Sequence, residues 1–178
     1  MKTTSEILYK AIFLDRDGVI NQEMGTYVYT WENFKFESGI FDFCRKATSL
    51  GYKLIVITNQ GGIAKGIYTR EQTEHLHTQM QSMFSAEGCS LTGIYYSPFH
   101  KDISKNIMSK PSDWMITRAC SIHKIDPQQS WMIGDKPRDI AAGLRAGCRT
   151  VGIGAEVSPN LADRWFDSMA SAAQHFFE

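Results

Sequence analysis

Short apolar runs and longer stretches with helical spacing alternate along the chain. Residues 11–14, 54–57, 94–96, 131–133 and 150–153 are brief and almost uniformly apolar, and they read as buried strands. Between them apolar side chains recur every three or four positions. Ile40, Phe43, Cys44, Ala47 and Leu50 make one such stripe, closed by Gly51. Thr69 is a good N-cap for a second helix through Leu76, Met80, Met83 and Phe84, with Gly88 just beyond. Ser112 or Asp113 caps a third, carrying Met115, Ile116, Ala119 and Ile122, and a fourth runs from Asp139 to Ala146 before Gly147. The tail from Met169 to Phe177 reads as a last helix, after an extended piece around Trp165.

Strands alternating with helices predict an α/β fold, a Rossmann-like three-layer sandwich with a mostly parallel sheet. The stretch 18–39 is too short for a separate lid. We therefore expect one domain, residues 1–178, with a minimal cap and an open site.

Polar motifs gather where strands end. Asp15-Arg16-Asp17-Gly18 follows the first strand, and Thr58-Asn59-Gln60 the second. Lys110-Pro111 lies in the loop after the third, and Gly134-Asp135-Lys136-Pro137-Arg138-Asp139 closes the fourth. In parallel sheets ligands bind at the carboxyl ends of strands, where the strand order reverses. The residue types suit phosphoryl transfer. Asp15, first past its strand, is the candidate nucleophile, and its attack would give an aspartyl-phosphate. Asp17 can protonate the leaving oxygen and then deprotonate water, given a pKa raised by desolvation. Asp135 is the natural third oxygen ligand for Mg²⁺. Thr58 and Lys110 offer donors to the phosphoryl oxygens. Asp139 is either a helix-capping acid or a support to the metal site.

Composition narrows the partners. The 178 residues carry 19 basic and 19 acidic side chains, so no large basic face for a nucleic-acid polymer is expected. No apolar segment is long enough to span a membrane. The first residues have no signal-peptide core. Cys44, Cys89, Cys120 and Cys148 form no C-x-x-C pair, which points to free thiols and a cytoplasmic protein. His75 and His77, two apart on a helix, do not face the same way and read as surface residues. His100, His123 and His175 read as structural or exposed.

Residues 11–21 (AIFLDRDGVIN), 58–64 (TNQGGIA), 93–98 (GIYYSP) and 132–136 (MIGDK) extend the motif set into a collinear match. The chain resembles the haloacid dehalogenase-like (HAD-like) superfamily. Within it, the match is to the branch of D-glycero-D-manno-heptose 1,7-bisphosphate 7-phosphatases and histidinol-phosphatases. The resemblance implies Asp15 as nucleophile and Asp17 as proton donor. It implies Mg²⁺ held by Asp15, by Asp17 through its backbone carbonyl and by Asp135, with Thr58 and Lys110 steadying the phosphoryl group. Glu23, Met24, Gly25 and Thr26, together with Thr58, Asn59, Gln60 and Gly61, would meet the substrate, as would Ser109, Lys110 and Lys136.

Two departures stand out. The branch usually carries a Cys/His zinc loop, but here Ser97-Pro98-Phe99-His100 and Asn106-Ile107-Met108 precede Ser109-Lys110. One lone histidine cannot make a four-ligand site, so zinc is expected to be absent. Ser109 stands where an arginine typically reads a second phosphate, and serine has no bidentate fork. The expected activity is Mg²⁺-dependent hydrolysis of a small sugar phosphate by a monomer, first among them heptose 1,7-bisphosphate at its 7-phosphate. Histidinol phosphate or another metabolite is the alternative, and a polynucleotide 3′ end a more distant one. A non-catalytic phosphate-binding module would have no use for both Asp15 and Asp17.

Overall fold

The computed structural model describes residues 8–178. Its sheet has six strands: β1 (Ala11–Leu14), β2 (Lys53–Asn59), β3 (Leu91–Ser97), β4 (Trp131–Gly134), β5 (Arg149–Ile153) and β6 (Arg164–Phe166). They lie in the order β3-β2-β1-β4-β5-β6, and every neighbouring pair is parallel. Parallel neighbours need crossovers, and the described residues form five α-helices: α1 (Ile40–Ser49), α2 (Arg70–Ala86), α3 (Trp114–His123), α4 (Pro137–Arg145) and α5 (Met169–His175).

Period-two alternation sorts the strand side chains between two cores. Ile12, Leu14, Leu54, Val56, Ile133 and Val151 point to one face, where α1, α2 and α5 bring Phe43, Phe84 and Ala172. Ala11, Phe13, Ile55, Ile57 and Met132 point to the other, against Met115, Ile116 and Ala119 of α3 and Ala142 of α4. Both faces are therefore covered, which is why the strands read as continuous apolar runs rather than alternating ones.

The chain winds outward from β1 through β2 to β3, then crosses to β4 on the other side. The order reverses between β1 and β4, and there the Asp15 N–H bonds Ile133 O at 3.0 Å. This is the crevice expected to take a ligand.

Several expectations need adjusting. The run 94–96 is only the middle of β3, because Thr92, Gly93 and Ser97 dilute its apolar pattern; Gly93 and Ser97 pair with Ile55 and Asn59 of β2, while Thr92 is the unpaired residue at a register shift. Helix α4 begins at Pro137, whose fixed φ and missing N–H suit a first helical position. Thr69 does cap α2: Gln72 N–H donates to Thr69 Oγ1 at 3.2 Å, and Thr69 N–H to Gln72 Oε1 at 2.8 Å. At α3 it is Ser112 whose hydroxyl accepts from Trp114 N–H, at 3.2 Å. Ile122 is exposed, and Met83 only half-buried. His75 is exposed as read, but His77 is not a surface residue: it is 5% exposed.

The connection from β1 to α1 holds one 3₁₀ turn, Trp31–Asn33, and two isolated bridges, Asp17 to Asn21 and Asn21 to Phe36. Trp31 stacks on Phe34, and Phe36 meets Phe34, Phe41 and Phe84 edge-on or tilted, which pins this stretch to the body as a minimal cap. No described helix is long and apolar enough to cross a membrane.

Candidate active site

Asp15 leaves β1 at its carboxyl end, 3% exposed, with its carboxylate turned inward. Arg16 N–H donates to Asp15 Oδ1 at 2.7 Å, and Lys110 Nζ approaches the same oxygen at 2.8 Å. Lys110 is buried as well. Its ammonium also reaches Asp139 Oδ1 at 2.8 Å and donates to Ile57 O at 2.8 Å. The ammonium thus pairs with two buried carboxylates and hydrogen-bonds one carbonyl. Lys110 therefore holds Asp15 in place in this state. It also lines the cavity beside the site, where the sequence expected it to steady a phosphoryl group.

Asn59 explains how Lys110 gets there. Its side chain clamps the Lys110 backbone at two points, donating to Lys110 O at 3.0 Å and accepting from Lys110 N–H at 2.9 Å. The peptide bond that follows, Lys110–Pro111, is cis. Asn59 was expected to meet substrate, but its amide is committed to this clamp.

Asp139 joins the two roles between which the sequence could not choose. Its Oδ2 accepts from Lys136 N–H at 3.0 Å, closing the first turn of α4, while its Oδ1 pairs with Lys110. Glycine at 134 permits this, because a Cβ there would lie 2.1 Å from Asp139 Cβ.

Asp15, Asp135 and Asp139 offer oxygens within 4.8 Å of one another. Burial pushes the Asp15 carboxyl up to about 7, Asp139 and Asp135 adding to the rise against Lys110. Burial, then Asp139, pushes Asp135 up to about 6, with Lys136 opposing at 3.1 Å. Asp135 Oδ1 is buried without a hydrogen-bond donor among the described residues. A crowded carboxylate set with an orphaned acceptor is the donor chemistry of a hard divalent cation. Asp139 Oδ1, 2.8 Å from the Lys110 ammonium, likewise accepts no hydrogen bond, whereas Asp139 Oδ2 is taken by Lys136 N–H. Gly18 lets the loop close over this cluster: its φ is +85°, and a Cβ would sit 2.3 Å from Asp135 Oδ2.

Asp17 departs from expectation. Its side chain lies outside the carboxylate cluster. Arg16 Nη2 lies 2.9 Å from Oδ1, Asn21 Nδ2 donates to Oδ1 at 3.0 Å, and Gln60 Nε2 to Oδ2 at 3.2 Å. Burial raises its pKa, but the Arg16 charge and these three donors outweigh it and hold the carboxyl below its ordinary value. Desolvation alone predicted the reverse. Arg16, 1% exposed, is itself fixed by Val28 O at 2.6 Å and by His77 Nε2 at 3.4 Å. A guanidinium only donates, so Nε2 is the accepting, unprotonated nitrogen. Burial, with Arg16 second, pushes His77 down to about 3.

Thr58 stands one residue before the end of β2, 1% exposed, and its hydroxyl accepts from Gln60 Nε2 at 2.9 Å. Gln60 thereby links Thr58 to Asp17. Its orientation is set by Tyr68, whose hydroxyl donates to Gln60 Oε1 at 2.7 Å. Tyr68 stacks on Tyr29 at 5.2 Å and presses on Gly62, where a Cβ would lie 2.1 Å from its ring. No sequence motif announced Tyr68, or a buried Arg16 and His77. The only signal was the glycine pair 61–62, which marks a close approach without naming what approaches.

A model of the HAD-hydrolase-like family matches residues 107–165. Over 176 residues the chain is 38% identical to the D-glycero-beta-D-manno-heptose-1,7-bisphosphate 7-phosphatase of Escherichia coli K12, with 92% of each chain covered. It is 46% identical over 138 residues to the Helicobacter pylori enzyme of the same name, 77% of this chain and 79% of that one. The chain belongs to this family of HAD-like phosphatases. A crystal structure titled D,D-heptose 1.7-bisphosphate phosphatase from B. bronchiseptica, complexed with magnesium and phosphate, shares the fold. It superposes with a TM-score of 0.83 at 23% identity, over 94% of this chain and 98% of that one.

Within this HAD-like phosphatase the remaining residues of the expected site divide. Asn59, Gly61, Ser109 and Lys110 line a cavity of about 600 Å³ beside the Asp15–Lys110 pair. Ser109 Oγ is engaged by Ser97 Oγ at 2.8 Å and Phe99 O at 3.4 Å. Glu23 and Lys136 line a second cavity with Gly18 and Asp135, and Lys136 bridges Asp135 and Glu156. Met24, Gly25 and Thr26 sit in an exposed turn and line neither cavity, Glu23 Oε1 accepting from Gly25 N–H at 3.0 Å. Among the described residues, the carboxylate trio is the one group of three or more His, Cys, Asp or Glu placed to share a metal.

Proposed function

We propose that this chain removes the 7-phosphate of a D-glycero-D-manno-heptose 1,7-bisphosphate, with Mg²⁺ as its cofactor. The observation that carries the reading is the buried Asp15 carboxylate at the sheet's switch point, held on one oxygen by Lys110 and close enough to Asp135 to share a cation with it. The names of the relatives supply the substrate.

Arg16 N–H and Lys110 both engage Asp15 Oδ1, so Oδ2 is the oxygen that attacks phosphorus. The P–O bond to the sugar breaks as the aspartyl P–O bond forms, and the sugar oxygen leaves with a proton from Asp17, which takes that proton from solvent once it has left the Arg16 charge that keeps it ionised. Asp17 then takes a proton from water as that water attacks phosphorus, releasing phosphate and restoring Asp15. For both steps its side chain turns from Arg16 toward Asp15. Mg²⁺ held by Asp15, Asp135 and the Asp17 carbonyl would offset the negative charge of the phosphoryl group and of the carboxylates around it. Thr58 lies near the β2 end and offers its hydroxyl to a phosphoryl oxygen.

The test is Mg²⁺-dependent phosphate release from both anomers of heptose 1,7-bisphosphate, beside histidinol phosphate and an aryl phosphate. The reading requires the heptose bisphosphates to give the highest kcat/KM. Preference for histidinol phosphate would move the assignment to the neighbouring activity. All four cysteines are unpaired, and we place the enzyme in the cytoplasm.

A further inference from the structure

We propose that Lys101, Lys105 and Arg138 form a second anion subsite, which holds the phosphate that does not react. This rests on the sugar-bisphosphate reading of the same site and specifies how this chain meets the far end of its substrate.

The cavity of about 600 Å³ beside Lys110 is lined by Lys101, Lys105 and Arg138, and no Asp or Glu lines it. Its volume suits a phosphorylated sugar. The chain as a whole carries 19 basic and 19 acidic residues, so a cavity with cations alone is a local departure from balance. Among the described residues none of the three forms an ion pair, whereas Lys110 and Lys136 are each paired with two carboxylates. The cavity on the other side of Asp135 has the opposite character, with Glu23, Glu37, Glu156 and Asp167 in its lining. A dianionic group attached to a substrate is drawn to the first cavity and repelled by the second.

The three cations differ in how firmly they are placed. Arg138 stands in the first turn of α4, whose start is fixed by the Lys136–Asp139 bond. Its planar fork can grip two phosphate oxygens. Lys101 and Lys105 lie on the connection between β3 and α3, where His100 packs against Gly61 at one end and Asn59 clamps Lys110 at the other. The Ser109 hydroxyl is turned to Ser97 and Phe99, so position 109 itself contributes no charge. Recognition of the second phosphate therefore passes to side chains on the two walls of the cavity.

The experiment compares kcat/KM for heptose 1,7-bisphosphate with kcat/KM for an aryl phosphate, which has no second phosphate. Lys101→Ala/Lys105→Ala, Arg138→Ala and the triple variant are measured beside the unaltered enzyme. All three side chains are exposed, so their loss should leave the fold intact. Each charge-assisted contact removed should lower the ratio by about tenfold, mainly through KM, with Arg138→Lys recovering part of the loss. An unchanged ratio in the triple variant overturns the subsite. Should the unaltered enzyme hydrolyse the aryl phosphate but not the heptose bisphosphate, the substrate reading fails separately. The subsite is then decided by inhibition of aryl phosphate turnover with fructose 1,6-bisphosphate. Weaker inhibition of the triple variant upholds it, and equal inhibition overturns it.

Discussion

Replacing Lys110 with methionine tests the electrostatic design of the site. The ammonium lies 2.8 Å from Asp15 Oδ1, from Asp139 Oδ1 and from Ile57 O, with its side chain fully buried. Methionine fills similar volume but leaves two carboxylates and a carbonyl facing an apolar chain. Removing one partner of a buried ion pair costs about 3–5 kcal/mol. That is a large part of the roughly 5–15 kcal/mol that holds a domain together. For a chain of this size it lowers Tm by roughly 6–20 °C. Asp139→Asn supplies the control, because asparagine keeps an acceptor for Lys136 N–H and discards the charge. In the unaltered chain it removes an ion-pair partner and destabilises. With methionine at 110 it removes an uncompensated charge and stabilises. Urea unfolding in EDTA measures all four corners of this cycle. Mg²⁺ should recover more stability in Lys110→Met than in the unaltered protein, since the dication binds the folded carboxylates. The reasoning is refuted if Asp139→Asn has the same sign and size in both backgrounds.

Tyr68→Phe deletes the hydroxyl that donates to Gln60 Oε1 at 2.7 Å, so stability should fall by about 1–3 kcal/mol. A loosened Gln60 amide should also lower kcat more than it raises KM; a pure KM effect would speak against its role beside Asp17. Asp17→Asn should cripple turnover yet leave Mg²⁺ binding largely intact by calorimetry, because its side chain lies outside the carboxylate trio. His77 is held neutral by burial, down to about 3 against an ordinary 6.5. The unfolded chain therefore takes up its proton first. This contribution is complete above pH 6.5 and is lost as pH falls toward 3. His77→Gln should flatten the stability–pH curve in that window, and an unchanged slope would count against a neutral His77.

Much of this was legible because both signals are local. Apolar runs bounded by glycines and caps gave the strands and helices, and strand ends gave Asp15, Thr58 and Asp135. What stayed hidden depends on contacts distant in sequence. Thr92 and Gly93 masked the start of β3, whose register is set by β2 rather than by its own pattern. His77 and Arg16 are 61 residues apart, and only the fold brings them together. The Asp17 carboxyl illustrates the same limit. Desolvation could be anticipated from a strand end, but not the guanidinium and two amides that reverse its effect. Lys110 was read as a free charge for substrate, because nothing in its neighbourhood shows that its ammonium pairs with Asp139 and bonds Ile57 O.

Covalent capture of the phosphorylated enzyme reaches the centre of the account. Borohydride added during turnover reduces an acyl phosphate to an alcohol, and peptide mass spectrometry locates the altered residue. The expected product is homoserine at position 15, absent without Mg²⁺ or substrate. Steady phosphate release with position 15 unmodified throughout, or reduction at another carboxylate, would contradict it.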